Sequence, residues 1–95
     1  MQMIIGLLTL DLLIPHCGSL KEKRIAIKSL KDKIRNKFNV SIAEIDFQDK
    51  WQRAQIAIVQ VGNEYQYIEK KLNSVFALIE ANGVIEITNH SVEYL

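Results

Sequence analysis

The chain has 95 residues, the length of one domain. Its apolar share of 48% and charged share of 24% are ordinary for a soluble globule. The single cysteine excludes an intrachain disulfide and fits a reducing cytosol. The apolar start of the chain contains Asp11, has no basic segment before it and is shorter than the ~20 residues of a membrane span. We therefore expect a single cytoplasmic domain, residues 1–95, with no signal peptide and no membrane contact.

The formal net charge of +1 conceals an uneven distribution of charge along the chain. Residues 1–38 contain eight basic and three acidic side chains, whereas residues 39–95 contain four basic and eight acidic ones. Local fields decide what a protein surface attracts, so the basic first part is the place to look for an anionic partner.

Alternating apolar residues predict a first strand over Met3–Ile14. Gly6 and the residues two, four and six positions after it fall on one face, because successive strand side chains point to opposite faces. Ile5 and Leu7 fall on the other face, which is more apolar than contact with water favours. Pro15 then ends the strand.

A capping box predicts the start of the first helix. The Ser19 hydroxyl can accept a hydrogen bond from the backbone of Glu22, and the Glu22 side chain can reach back to Ser19. The helix is expected to run from Leu20 to about Phe38. At 100° per residue, one narrow apolar sector contains Leu20, Ile27, Leu30, Ile34 and Phe38.

The rest of the chain predicts two strands, a helix and a last strand. Strands over Val40–Phe47 and Trp51–Val61 are joined by a short polar turn and form an antiparallel hairpin. Asn63 is the expected N-cap of a helix that runs to about Ala81, where an Asn-Gly pair stops it. A last strand is expected over Val84–Tyr94.

The resulting order, βαββαβ, predicts an α+β fold of the ferredoxin-like type. Two right-handed split βαβ units place both helices on one face of a four-stranded antiparallel sheet. The other face of the sheet is then left open.

A row of basic residues on one side of the first helix is the sharpest functional signal. Spaced by three or four positions, its members occupy a sector of about 80°; they are Lys21, Arg24, Lys28, Lys31 and Arg35. Cations in a row on a rigid helix have the geometry that follows phosphates. A solvated face that keeps the protein soluble is the commoner role of such a row, so both interpretations remain open here.

The open sheet face is predicted to be apolar. Its expected members are Ile5 and Leu7 on the first strand and Val40 and Ile42 on the second, joined in one strand register by Ile56 and Ile58. Monomers rarely leave so large an apolar face in water, so we expect a homodimer through this face. A register shifted by one residue would instead turn these side chains inward.

Aromatic residues are not placed for the usual RNA recognition of this topology. RNA-binding domains of the same order stack bases on aromatic side chains of the central strands. The first and third strands lack such a pair, and Phe47 and Trp51 lie near the hairpin turn instead. If the protein binds RNA, the sequence therefore predicts contacts between the basic helix and the RNA backbone.

Residues with catalytic or metal-binding chemistry form no recognisable constellation. His16 and Cys17 are adjacent, but a nucleophile pair needs side chains within hydrogen-bond reach, and neighbours in sequence often point apart. Two histidines and one cysteine give no zinc-ligand spacing. We predict no catalytic residue, no metal and no cofactor.

Acidic residues cluster around the hairpin turn, at Glu44, Asp46 and Asp49. Paired carboxylates can bind Mg²⁺ or act in acid–base chemistry, and Glu44 and Asp46 are expected to share one strand face. A cross-strand ion pair between Glu44 and Arg53 that holds the hairpin is the favoured interpretation.

Two stretches of sequence resemble the YlxP-like family, small bacterial proteins of unassigned function. They are Ser-Leu-Lys-Glu-Lys-Arg at residues 19–24, and Ala43–Asp46 together with Asp49–Ala54 across the hairpin. The resemblance spans nearly the whole chain and implies a ferredoxin-like fold. In many bacteria the family's gene lies among those for transcription antitermination, translation initiation and ribosome maturation, which implies a role near RNA or the ribosome. It provides no catalytic residue to carry over.

We therefore expect a non-enzymatic, RNA- or ribosome-associated accessory protein that binds phosphates through its basic first helix. The alternative is a protein-interaction or small-ligand module that uses the open sheet face and the hairpin around Trp51 and Arg53.

Overall fold

A computed structural model describes residues 2–95 of the chain. Met1, the first residue of the predicted domain, lies outside these residues. The elements in chain order are β1 (Ile4–Leu13), α1 (Leu20–Lys37), β2 (Ser41–Asp46), β3 (Arg53–Gly62), α2 (Tyr65–Glu80) and β4 (Glu86–Tyr94). This βαββαβ order confirms the predicted ferredoxin-like α+β fold.

The sheet has the strand order β2-β3-β1-β4, and all neighbouring strands are antiparallel. The first strand therefore occupies a central position, paired with β3 from Ile4 opposite Gly62 to Leu13 opposite Arg53. The shorter β2 and the more polar β4 form the two edges.

The hydrophobic core lies between one face of the sheet and the two helices. It is formed by Leu8, Leu10 and Leu12 of β1, Ala54, Ile56 and Ile58 of β3, Ile27, Leu30 and Ile34 of α1, and Ile68, Leu72, Val75 and Ile79 of α2. The apolar sectors predicted for the two helices are thus the buried ones. Ile5 and Leu7 alternate with the buried β1 residues and lie on the open face, as predicted.

The predicted open-face positions of Val40 and Ile42 are wrong. Ile42 lies opposite Ile58 in the β2–β3 ladder, and both side chains are buried under the helices. Val40 precedes β2 and packs against the same core. Ser41 and Ala43 take the open face, because successive strand side chains alternate and Ile42 points toward the helices. Ile56 also turns inward.

The two ends of α2 agree only in part with the positions predicted from the sequence. Glu64, not Asn63, is the N-cap, and its side chain makes no capping hydrogen bond. At the other end Gly83 adopts φ +74°, which confirms the expected left-handed stop. The hairpin turn is also longer than predicted, since β3 begins at Arg53 rather than at Trp51.

Gly6 is required where β1 passes under α2. A methyl group at this position would lie 2.6 Å from Cγ2 of Ile68 and 2.9 Å from Cδ1 of Leu72. We predict that Gly6→Ala lowers the free energy of unfolding by about 1–3 kcal/mol, as overpacking of cores does. Urea denaturation followed by circular dichroism measures this loss. Gly18→Ala is the control, because the nearest atom to its added methyl group is 3.6 Å away; equal losses for both variants would contradict the prediction.

Candidate functional site

The basic row predicted for the first helix forms one flank of α1, on the side of the edge strand β2. Lys21, Arg24, Lys28 and Arg35 are exposed, and Lys31 is half-buried. A groove of about 360 Å³ runs along this flank and is lined by Arg24, Ile27, Lys28, Lys31, Asp32, Arg35 and Glu44. The structure thus brings four of the five predicted cations together in one concave surface, with Lys21 following at the start of the helix.

Most of the charge in this row is not neutralised by carboxylates. Across residues 2–95 the only ion pairs are Lys28–Asp32 and Lys23–Glu44, each with 2.9 Å between nitrogen and oxygen. The hydrogen bond from Lys28 holds the pKa of Asp32 below its usual value. Arg35 donates to the carbonyl of Ile42 at 3.1 Å, which fixes its guanidinium beside β2 without removing its charge.

Lys23, which sequence reasoning did not single out, is the most buried charged side chain among the described residues, with 1% of its surface exposed. Its ammonium donates to the carbonyl of Phe47 and lies 2.9 Å from Oε2 of Glu44. That oxygen is buried and has no other partner within residues 2–95. One signal was available in the sequence: at 100° per residue, Lys23 falls inside the apolar sector of Ile27 and Ile34.

The predicted Glu44–Arg53 ion pair is therefore wrong, and so is the shared face of Glu44 and Asp46. Ile45 is the extra residue of a β-bulge, so Glu44 lies opposite Ile56 whereas Asp46 lies opposite Gln55. The two carboxylates consequently point to opposite faces of the sheet. Arg53 instead places its guanidinium 4.0 Å from the ring centre of Phe47, a cation–π contact.

The hairpin turn packs against the loop that precedes α1. The backbone N–H of Ile14 donates to the carbonyl of Gln52 at 2.8 Å, and the Gln52 side chain donates to the carbonyl of Cys17 at 3.2 Å. Phe47, at φ +63°, accepts a bond from the backbone of Lys50. The two stretches that carry the family resemblance thus meet at one end of the molecule.

Trp51 projects from this turn with 52% of its surface exposed. It borders a shallow recess of about 440 Å³ whose other lining residues are Asp49, Lys50, Gln52 and Arg53. An indole in this position contributes little to the core, which lies between the sheet and the helices.

The polar groups of the loop between β1 and α1 mainly cap the start of the helix. Ser19 accepts a bond from the backbone of Glu22 at 3.1 Å, as predicted. The Glu22 side chain accepts its bond from the backbone of Gly18 at 2.8 Å, one residue before the predicted donor Ser19. Cys17 is buried, while its neighbour His16 is exposed. Within the part of the chain that the structure describes, no three His, Cys, Asp or Glu side chains come together in a way that could hold a metal ion.

The open sheet face is apolar at one end and polar in its middle. Cross-strand pairs place four aliphatic side chains together, Ile5 with Val61 and Leu7 with Val59. Further along the strands, Asp11 accepts a hydrogen bond from the side chain of Gln55 at 2.9 Å. Over residues 2–95, neither helix is long and apolar enough to span a membrane.

The buried ammonium of Lys23 yields a stability prediction. Lys23→Met should lower the free energy of unfolding by about 2–3 kcal/mol, because it leaves the Glu44 carboxylate without its counter-charge. The loss is smaller than for a fully buried pair, since the Glu44 side chain is 21% exposed. The double variant with Glu44→Leu should recover most of the loss in urea denaturation. A double variant as unstable as the single one would contradict this account.

Known proteins match almost the whole chain. Residues 5–92 match the model of a family described as a protein of unknown function, DUF503. The uncharacterized protein YlxP of Bacillus subtilis (strain 168) is 41% identical over 91 residues, which cover 96% of this chain and 99% of the relative. A solved structure, the structural-genomics protein YJCS, is similar in fold, with a TM-score of 0.55 at 10% identity over 94% of this chain and 96% of that one. The chain therefore belongs to the DUF503 family, as its resemblance to YlxP-like proteins predicted.

Proposed function

We propose that this protein is a non-enzymatic, RNA- or ribosome-associated accessory protein that binds phosphates through the basic row of α1. The observation that carries the proposal is that the row remains together on one flank of a rigid helix, where Lys28 alone has a carboxylate partner within residues 2–95. The nearby carboxylate of Glu44 is balanced from the interior by Lys23. The groove is therefore a concentrated source of positive potential.

The length of the row suits a nucleic acid strand better than a single small anion. From Lys21 to Arg35, α1 rises by about 21 Å at 1.5 Å per residue. Successive phosphates of a strand in a duplex are about 3.4 Å apart along the axis, so several of them fit beside the row. The resemblance to YlxP-like proteins, whose genes often lie among those for translation initiation and ribosome maturation, supports ribosomal RNA as the partner.

Charge reversal in the groove tests this function. We predict that the double variant Arg24→Glu, Lys31→Glu lowers affinity for ribosomal RNA at about 50 mM salt by at least a hundredfold, since each contact contributes through counterion release. Binding is measured by fluorescence anisotropy. The unaltered protein should lose affinity by orders of magnitude between about 50 and 200 mM salt, and the variant should show a shallower salt dependence.

The matched control lies on another side of the same helix. Lys33 and Lys37 are exposed outside the groove, and reversing both changes the net charge by the same amount. We expect Lys33→Glu, Lys37→Glu to keep most of the affinity. Equal losses of RNA affinity for the two double variants would show that the basic row is a solvated surface and not a binding site. The absence of RNA binding at low salt would show the same.

Protein binding through the open sheet face is a second candidate function, favoured by the aliphatic cluster of Ile5, Leu7, Val59 and Val61. The partner we expect is a second copy of the chain, since two such sheet ends can cover each other. The corrected positions of Val40 and Ile42 leave the apolar part of this face smaller than the sequence predicted.

A single substitution tests the dimer. Val61→Glu should shift sedimentation from dimer to monomer at micromolar concentration, because it places a charge within the aliphatic cluster that the contact would bury. Val84→Glu is the control, since Val84 and Val61 are both 62% exposed but Val84 lies in the loop before β4. A monomeric unaltered protein would remove this candidate.

A further inference from the structure

Trp51 is the only tryptophan of the chain, and about half of its surface lies in water. Tryptophan is highly buried on average because of its large apolar surface. The indole of Trp51 instead stands at the tip of the hairpin, outside the buried cluster that forms the core. Its position leaves ring surface free to contact another molecule.

The backbone that carries Trp51 is held firmly in place. Gln52 bonds through its backbone carbonyl to Ile14 and through its side chain to Cys17, so the residue after Trp51 is fixed to the loop before α1. On the other side of the turn, the carbonyl of Phe47 binds the ammonium of Lys23. A surface ring on a fixed loop loses little conformational freedom when a partner stacks on it.

The same contacts place Trp51 at the end of the molecule where the basic row begins. Lys23 lies between Lys21 and Arg24 in the chain, and its ammonium reaches into the turn that carries Trp51. The groove along α1 includes Glu44, which is the other partner of Lys23. An anionic strand that follows the row toward the start of α1 therefore arrives at the hairpin.

The recess beside Trp51 has the chemistry of a nucleobase site. The recess is shallow and open to water, so a planar ring can approach the exposed face of the indole. The side-chain oxygen of Gln52 and the carboxylate of Asp49 are acceptors, and the ammonium of Lys50 is a donor. The Gln52 side-chain nitrogen already donates to Cys17, and the Arg53 guanidinium lies over Phe47, so these two groups hold the recess in shape. The two acceptors and the donor are groups that read the edges of unpaired bases.

We propose that the protein binds single-stranded RNA, with one unpaired base stacked on Trp51 and the adjoining phosphates running along the basic row. This inference rests on the proposed RNA-binding function and names the form of RNA it takes. Proteins that bind single strands combine a cationic groove with an aromatic stacking surface in the same way. Bases of a duplex are stacked on one another and cannot offer a free ring face to the indole.

Two independent signals test the inference on the full-length protein at about 50 mM salt. Anisotropy of a labelled twelve-residue oligouridine and of a labelled RNA duplex of the same length measures binding. The intrinsic fluorescence of the single tryptophan measures stacking. We expect the oligouridine to quench this fluorescence in step with its anisotropy curve, and the duplex to leave it unchanged.

Variants separate stacking from phosphate binding. Trp51→Ala should weaken oligouridine binding about tenfold, the loss expected for one stacked base, and leave duplex binding unchanged. Trp51→Phe should keep most of the affinity, since it retains a ring. Tyr67→Ala is the matched control, because Tyr67 is also 52% exposed but lies on α2.

The outcomes distinguish the inference from the function beneath it. Salt-sensitive binding of oligouridine without quenching, and unaltered by Trp51→Ala, would overturn the stacking site and leave the basic row in place. A duplex that binds more tightly than the single strand would do the same. Failure of both RNAs to bind at low salt would overturn the proposed function together with the inference.

Discussion

The ammonium of Lys23 is the constraint on which the arrangement of this domain's hairpin end depends. Its aliphatic stem runs through the apolar sector of α1, and its charged end finds a carboxylate on β2 and a backbone carbonyl at the start of the turn. One cation thus joins a helix, an edge strand and a loop. Removing a charge from water is costly, so only the geometry that supplies both partners is favourable. The pair therefore specifies where the hairpin sits relative to α1.

This internal contact also shapes the surface above it. Glu44 would lower the positive potential of the groove if its charge were unbalanced, and Lys23 balances it from below. Arg35 is positioned by a backbone carbonyl of β2 rather than by a carboxylate, so its charge stays available. The edge strand β2 therefore supports the basic flank of α1 at both ends.

The sequence was sufficient where strong periodicity coincided with clear stop signals. The predicted bounds of α1 differ from the observed ones by one residue, because a capping box marks its start and the apolar sector repeats through Ile34. The strand β2 was less predictable, since six residues with a bulge at Ile45 carry too few alternations to fix a register. The sequence offered no turn residue that marks this bulge, which turns Asp46 to the opposite face from Glu44. Short alternation alone also did not decide which face of the sheet Val40 and Ile42 take.

The candidate site was predictable in its helical part and not in its hairpin part. A row of cations on one helix follows from spacing alone, whereas the partners of Lys23 depend on how distant segments meet. The sequence predicted Arg53 as the partner of Glu44, because a hairpin is the only contact between strands that the sequence indicates at this position. In the folded chain Glu44 pairs with Lys23 of α1 instead, and Arg53 stacks on Phe47.

The central position of β1 has a consequence for how the domain assembles. Leu7 pairs with Val59 on one side and with Glu93 on the other, so β1 must wait for both β3 and β4 to be synthesised before its two edges are occupied. Closing such long loops costs entropy before any contact offsets it, and this slows folding. Until β4 arrives, an apolar strand with an unpaired edge is exposed to other chains during synthesis. Early formation of α1, which needs only local contacts, offers a surface that can cover part of it.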